Sequence, residues 1–90
     1  MMKTVSIIVT GKVQGVWYRQ SAKEKATELG IIGFVQNLPD GTVTITATGS
    51  AHQLEAFIAW CRQGPTRACV EKLDIQELSL QRFDNFSIIR

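Results

Sequence analysis

The stretch "IIGFVQNLPDGTVTITATGS", Ile31 to Ser50, decides the fold. Its opening, Ile31–Asn37, reads as a strand. "LPDG", Leu38–Gly41, is a turn with a mechanism: Pro39 presets φ, Asp40 hydrogen-bonds locally, and Gly41 takes the left-handed position. "TVTITATG", Thr42–Gly49, then alternates, with Val43, Ile45 and Ala47 on one side and the threonines on the other. Two strands joined by a tight turn make a hairpin, so the architecture depends on what flanks it.

Helical signals lie on both sides. Upstream, "RQSAKEKATEL", Arg19–Leu29, places Ala22, Ala26 and Leu29 on one face, with Lys23, Glu24, Lys25 and Glu28 opposite. Ser21 and Glu24 have capping-box spacing, which leaves the helix start open between Tyr18 and Ser21. Gly30 suits a left-handed C-terminal cap. Downstream, Ser50 caps a second helix with Gln53 in the box position. Leu54, Phe57, Ile58 and Cys61 form its apolar stripe, with Trp60 beside it, and "QGPT", Gln63–Thr66, stops it. "KTVSIIVTG", Lys3–Gly11, is a β-branched strand before the first helix. "ACVEKLDIQELSL", Ala68–Leu80, reads as a longer strand, and "FDNFSIIR", Phe83–Arg90, as a short terminal one. The order β-α-β-β-α-β predicts an α+β, ferredoxin-like split βαβ sandwich. Its sheet is expected to be antiparallel in the order 4-1-3-2. Two helices should cover one face, and a short extra strand should follow at the C-terminus.

Ninety residues argue for a single domain over 1–90. A net charge of +2 is too small to imply nucleic acid. No apolar run approaches the roughly 20 residues of a membrane span. "MMKTVSIIVTGKV" reads as a strand rather than a signal peptide, so a cytoplasmic location is expected. Cys61 and Cys69 are expected to be free thiols, and with one histidine in the chain a structural zinc site is not expected.

The loop after the first strand, "GKVQGVWYR", Gly11–Arg19, is where chemistry is best placed. Gly11 and Gly15 permit φ > 0 and close approach of backbone to a ligand. Successive N–H groups there can converge on an anion, aided by the positive pole of the following helix. Arg19 adds a planar, permanently charged fork. The ending is not that of a Walker A loop. From the residues alone, two readings stand: an anion site, or an ordinary glycine turn before a solvated arginine.

Four segments share order and spacing with a known family. "GKVQGVWYR", "LGIIGFVQNLPDG" (Leu29–Gly41), "GP" (Gly64–Pro65) and "FDNFSIIR" together resemble acylphosphatase over nearly the whole chain. The resemblance implies hydrolysis of the carboxyl–phosphate bond of acyl phosphates, releasing a carboxylate and inorganic phosphate, without metal or organic cofactor. It implies Arg19 and Asn37 as the catalytic residues. It also implies a backbone phosphate cradle over Gln14, Gly15, Val16, Trp17 and Tyr18. Asn37 would bind and aim the attacking water, because its amide offers a donor and an acceptor. No His, Asp or Glu sits in "GKVQGVWYR" or "GFVQN" (Gly33–Asn37) as a general base, and the family reading lets the substrate's own phosphate accept the proton.

The remaining candidates read as structural. Asp40 forms the turn, His52 is surface, and Tyr18 and Phe34 pack. Trp17 shapes a pocket rim, and Lys12 is solvated. Gln36 stands where the family often has a basic residue. The partner expected is a small-molecule acyl phosphate, with no nucleic acid and no membrane, acting on a monomer. The alternative is a non-catalytic ferredoxin-like module that binds phosphate or another small molecule. RNA is disfavoured because "TVTITATG" lacks the aromatics of RNA-binding strands. Kinship with the acylphosphatase-like domain of hydrogenase maturation proteins is a third reading, set aside because the chain is short.

Overall fold

The computed structural model describes residues 1–90. The elements are β1 (Met2–Lys12), α1 (Tyr18–Leu29), β2 (Ile32–Asn37), β3 (Val43–Ser50), α2 (Ala51–Gln63), β4 (Cys69–Leu78) and β5 (Phe86–Ile89). They build one five-stranded sheet in the order β4-β1-β3-β2-β5. The expected order 4-1-3-2 is present, extended by β5 at the β2 edge. No helix is long and apolar enough to cross a membrane.

One feature of the expected sheet is corrected. β4, β1, β3 and β2 pair antiparallel, but β5 pairs parallel with β2, so the sheet is mixed. The reason is the path between β4 and β5. β4 runs opposite to β2. A chain that leaves β4, passes across that end of the sheet and re-enters at the far edge must run as β2 does. Residues 79–85 make this crossing, which is also why β4 and β5 are shorter than the strands predicted for Ala68–Leu80 and Phe83–Arg90. The crossing is pinned on the helix-free face. The Gln81 N–H donates to Thr4 Oγ1 at 2.9 Å, and the Thr48 hydroxyl donates to the Gln81 carbonyl at 2.8 Å. Phe83 packs edge-on against Phe34, with ring centroids 5.9 Å apart. Two threonines on an otherwise polar face are thereby buried with their hydroxyls satisfied.

The core lies on the other face. Register aligns Val5 with Ala47, Ile7 with Ile45 and Val9 with Val43, while Val35 pairs with Ile45. Over this layer α1 sets Ala22 and Ala26, and α2 sets Leu54, Phe57 and Cys61. The two alanines let α1 lie close to the sheet. Each large aliphatic side chain buried here, such as Ile7, contributes roughly 1.5–3 kcal/mol.

Local chemistry follows the sequence at most boundaries. The Ser50–Gln53 capping box forms in both directions, at 3.1 and 2.8 Å. Gly30 caps α1 at φ 77°. In the hairpin turn, Asp40 Oδ1 accepts from the Thr42 N–H and hydroxyl at 3.0 and 2.6 Å, and Gly41 sits at φ 93°.

The start of α1, open between Tyr18 and Ser21 from sequence, falls at Tyr18. Its first hydrogen bond runs from the Ser21 N–H to the Trp17 carbonyl at 3.0 Å, so Ser21 lies inside the helix and caps nothing. Tyr18 explains this. It is 1% exposed, and its hydroxyl donates to the Cys61 carbonyl at 2.8 Å. Burying a tyrosine with its hydroxyl satisfied outweighs a surface cap worth about 1 kcal/mol. The helix therefore begins where Tyr18 can reach the core.

Candidate active site

The segment between β1 and α1 is shaped by two left-handed residues, Gly15 at φ 74° and Trp17 at φ 66°. For Trp17 that conformation carries a strain of order 1–3 kcal/mol, and strain of this kind concentrates at functional sites. Its effect is to leave donors free. No N–H from Gly15 to Gln20 donates within the protein's turns, loops or caps, and α1 has neither a side-chain cap nor an acidic residue in its first turn. Unpaired amides thus gather at the positive pole of a helix, an arrangement suited to an anion.

These amides border a pocket of about 370 Å³. The loop and the helix start contribute Val13, Gly15, Trp17, Tyr18, Arg19 and Gln20. β2 contributes Asn37, β5 contributes Ile88, and Arg90 follows directly after β5. Arg19 and Asn37 follow strands that β3 separates, yet they share this pocket because α1 packs over β2 and β5. The chain's ion pairs are Lys3–Glu77, Lys25–Glu28 and Lys72–Asp74, so neither Arg19 nor Arg90 is engaged by a carboxylate. No acid and no histidine lines the pocket. Asn37 Oδ1 is buried without a protein hydrogen-bond partner. An orphaned acceptor of this kind costs about 1–3 kcal/mol.

Of the residues singled out from sequence, Gly15, Trp17, Tyr18, Arg19 and Asn37 line the pocket, whereas Gln14 and Val16 do not. Val16 is buried in the core. The Gln14 side chain turns away and donates through Nε2 to the carbonyls of Leu38 and Thr42, at 2.8 and 2.9 Å. Trp17 is 74% exposed at the rim. Tyr18 also lines the pocket, while its hydroxyl donates to the Cys61 carbonyl. Asp40 is confined to its turn. Its two bonds from Thr42 hold its carboxyl below the usual carboxylate range. Sequence reasoning missed Ile88 and Arg90. The register β2–β5, which ends with Gln36 opposite Ile89, carries Arg90 alongside Asn37. Local pattern holds no signal for that parallel pairing.

The acylphosphatase family model matches residues 5–88. The chain belongs to the acylphosphatase family. A curated acylphosphatase of Methylococcus capsulatus is 50% identical over 90 residues, covering 99% of this chain and 98% of the relative. The crystal structure of the acylphosphatase from Bacillus subtilis superposes with a TM-score of 0.95 at 33% identity, covering 100% of both chains. The acylphosphatase from Coxiella burnetii gives 0.95 at 32% identity, over 98% of this chain and 93% of that one.

Proposed function

We propose that this chain is an acylphosphatase that converts an acyl phosphate and water into a carboxylate, inorganic phosphate and a proton. The observation that carries the reading is one pocket lined by Asn37, Arg19 and the residues of the helix start whose amides are free. The N–H groups from Gly15 to Gln20 and the Arg19 guanidinium hold the phosphoryl oxygens. They stabilise charge as the P–O bond to the acyl group breaks. The Asn37 side-chain amide binds the attacking water and aims its lone pair at phosphorus. The water's proton passes to a phosphoryl oxygen, and the acyl carboxylate departs with the bonding pair. A carboxylate is a good leaving group, so positioning and electrostatics suffice without a protein nucleophile or strong base. Trp17 at the rim and Ile88 on β5 give the acyl portion apolar surface.

The reading extends to setting and partners. Two free thiols suit a reducing cytoplasm. A pocket of this size suits a small molecule acting on a monomeric single domain rather than nucleic acid. No three His, Cys, Asp or Glu side chains converge on a possible metal site. The reaction as drawn uses none, so turnover should persist in excess chelator. Loss of activity restored by magnesium would overturn this part of the mechanism.

Benzoyl phosphate hydrolysis, followed with the wild-type chain and with Asn37→Ala, is the direct test. Turnover by the first and its near loss in the second is expected. A folded wild-type protein that binds phosphate without turnover would be a binding module instead.

A further inference from the structure

We propose that the Gln14 side chain is a positioning residue that sets the distance between the phosphate cradle and Asn37. The inference rests on the functional reading above. Gln14 lies between Val13, which is 1% exposed, and Gly15, which lines the pocket. Its Nε2 donates to the Leu38 and Thr42 carbonyls at 2.8 and 2.9 Å. Both partners only accept, so the end of the amide that faces them is the NH2 group. Those same carbonyls close the hairpin turn. Leu38 N–H donates to Thr42 O at 2.9 Å, and Gly41 N–H donates to Leu38 O at 3.1 Å. Leu38 directly follows Asn37. One side chain therefore joins the first turn of the cradle to the end of the strand that presents the asparagine.

No backbone ladder can do this. β3 stands between β1 and β2, so the loop after β1 and the end of β2 share no strand pairing. Among the side-chain and turn hydrogen bonds, the Gln14 pair alone links residues 13–19 with residues 36–42. Phosphoryl transfer depends on alignment of water with phosphorus, and a misplacement of 1 Å costs about 100-fold. Gln14 does not line the pocket, so its effect reaches the reaction through Asn37 rather than by touching substrate.

The test uses Gln14→Met, which keeps length and removes the donor. Its kcat, its KM for benzoyl phosphate and the inhibition constant of inorganic phosphate are compared with wild type. A kcat lower by roughly 10- to 100-fold is expected, with phosphate affinity within about twofold. In an Asn37→Ala background the same substitution should cost no more than about twofold, because its route is already removed. A kcat within twofold of wild type, a phosphate affinity that falls in step with kcat, or a full additive loss in the double variant would each overturn the proposal. Gln14→Glu supplies an independent readout, and it carries the test if Gln14→Met does not fold. Its carboxylate has no hydrogen to donate, but the protonated acid can donate to one carbonyl. Its activity relative to wild type should rise on acidification; a flat ratio would count against the tether. Absence of turnover in wild type sinks the functional reading itself, whereas intact wild-type turnover with an indifferent Gln14→Met sinks only this inference.

Discussion

In the proposed reaction Arg19 is not interchangeable with another cation. A lysine would bring a point charge to three phosphoryl oxygens, where the guanidinium brings a planar fork. Arg19→Lys should therefore lose roughly 100- to 1000-fold in kcat, measured with benzoyl phosphate; wild-type turnover in that variant would remove Arg19 from the mechanism. Arg90, the residue after β5, adds a second arginine without a carboxylate partner to the pocket lining. Arg90→Gln should raise KM several-fold and leave kcat nearly unchanged, as loss of long-range attraction for an anion does. The two arginines differ in how they can be read from sequence. Arg19 closes a glycine-bearing loop at a helix start, a pattern with its own physical meaning. Arg90 follows a short strand whose partner lies far away in sequence, and nothing near it encodes the neighbour. Gln14 is intermediate: its motif placed it in the loop, but only the folded turn shows what its side chain grips.

At the level of elements, α1 shows how packing overrides a local signal. Ser21 and Glu24 satisfy the capping-box pattern, yet the helix starts at Tyr18 because the ring and its hydroxyl have a place in the core. Tyr18→Phe keeps the ring and leaves the Cys61 carbonyl without its donor. It should destabilise the fold by about 1–3 kcal/mol, seen as a drop in Tm of at least ~4 °C. The hairpin was legible because its chemistry is short-range: Asp40 and Gly41 need no distant partner. Gly33, in the same hairpin, was not legible as a special position. It holds φ 145°, and a Cβ built there would collide with the Thr46 carbonyl oxygen. Gly33→Ala combines strain with a backbone clash, so a loss above ~3 kcal/mol is expected in denaturant titration. A variant as stable as wild type would mean that β2 and β3 can part at no cost.

Across the whole molecule, burial decides how the fold responds to alkali. Burial pushes the Cys61 thiol from 9.0 up to about 12, and it pushes the Tyr18 hydroxyl up as well. Both groups are uncharged in the fold, so their contribution is complete below their unfolded values and declines above them. Between pH 9 and 10 the decline belongs to Cys61, because Tyr18 joins only near its ordinary value of 10.0. Tm should hold to about pH 9 and then fall, with a flatter profile in Cys61→Ala. The thiols should also separate chemically. Cys69 is exposed and Cys61 buried, so a thiol reagent should modify one cysteine in the native protein and both after unfolding. The sheet order followed from the alternation of helices and strands, but the far edge did not, since a crossing of the sheet end leaves only a polar, irregular stretch in the sequence. That crossing has a temporal consequence. Because Asn37 and Arg90 meet only once β5 has paired with β2, a fragment that ends before β5 does not assemble the pocket. Closing such long loops is the slow part of folding for this kind of topology. Recovery of catalysis after dilution from denaturant should coincide with the last structural phase, so activity reports on completion of the fold and not on its early stages.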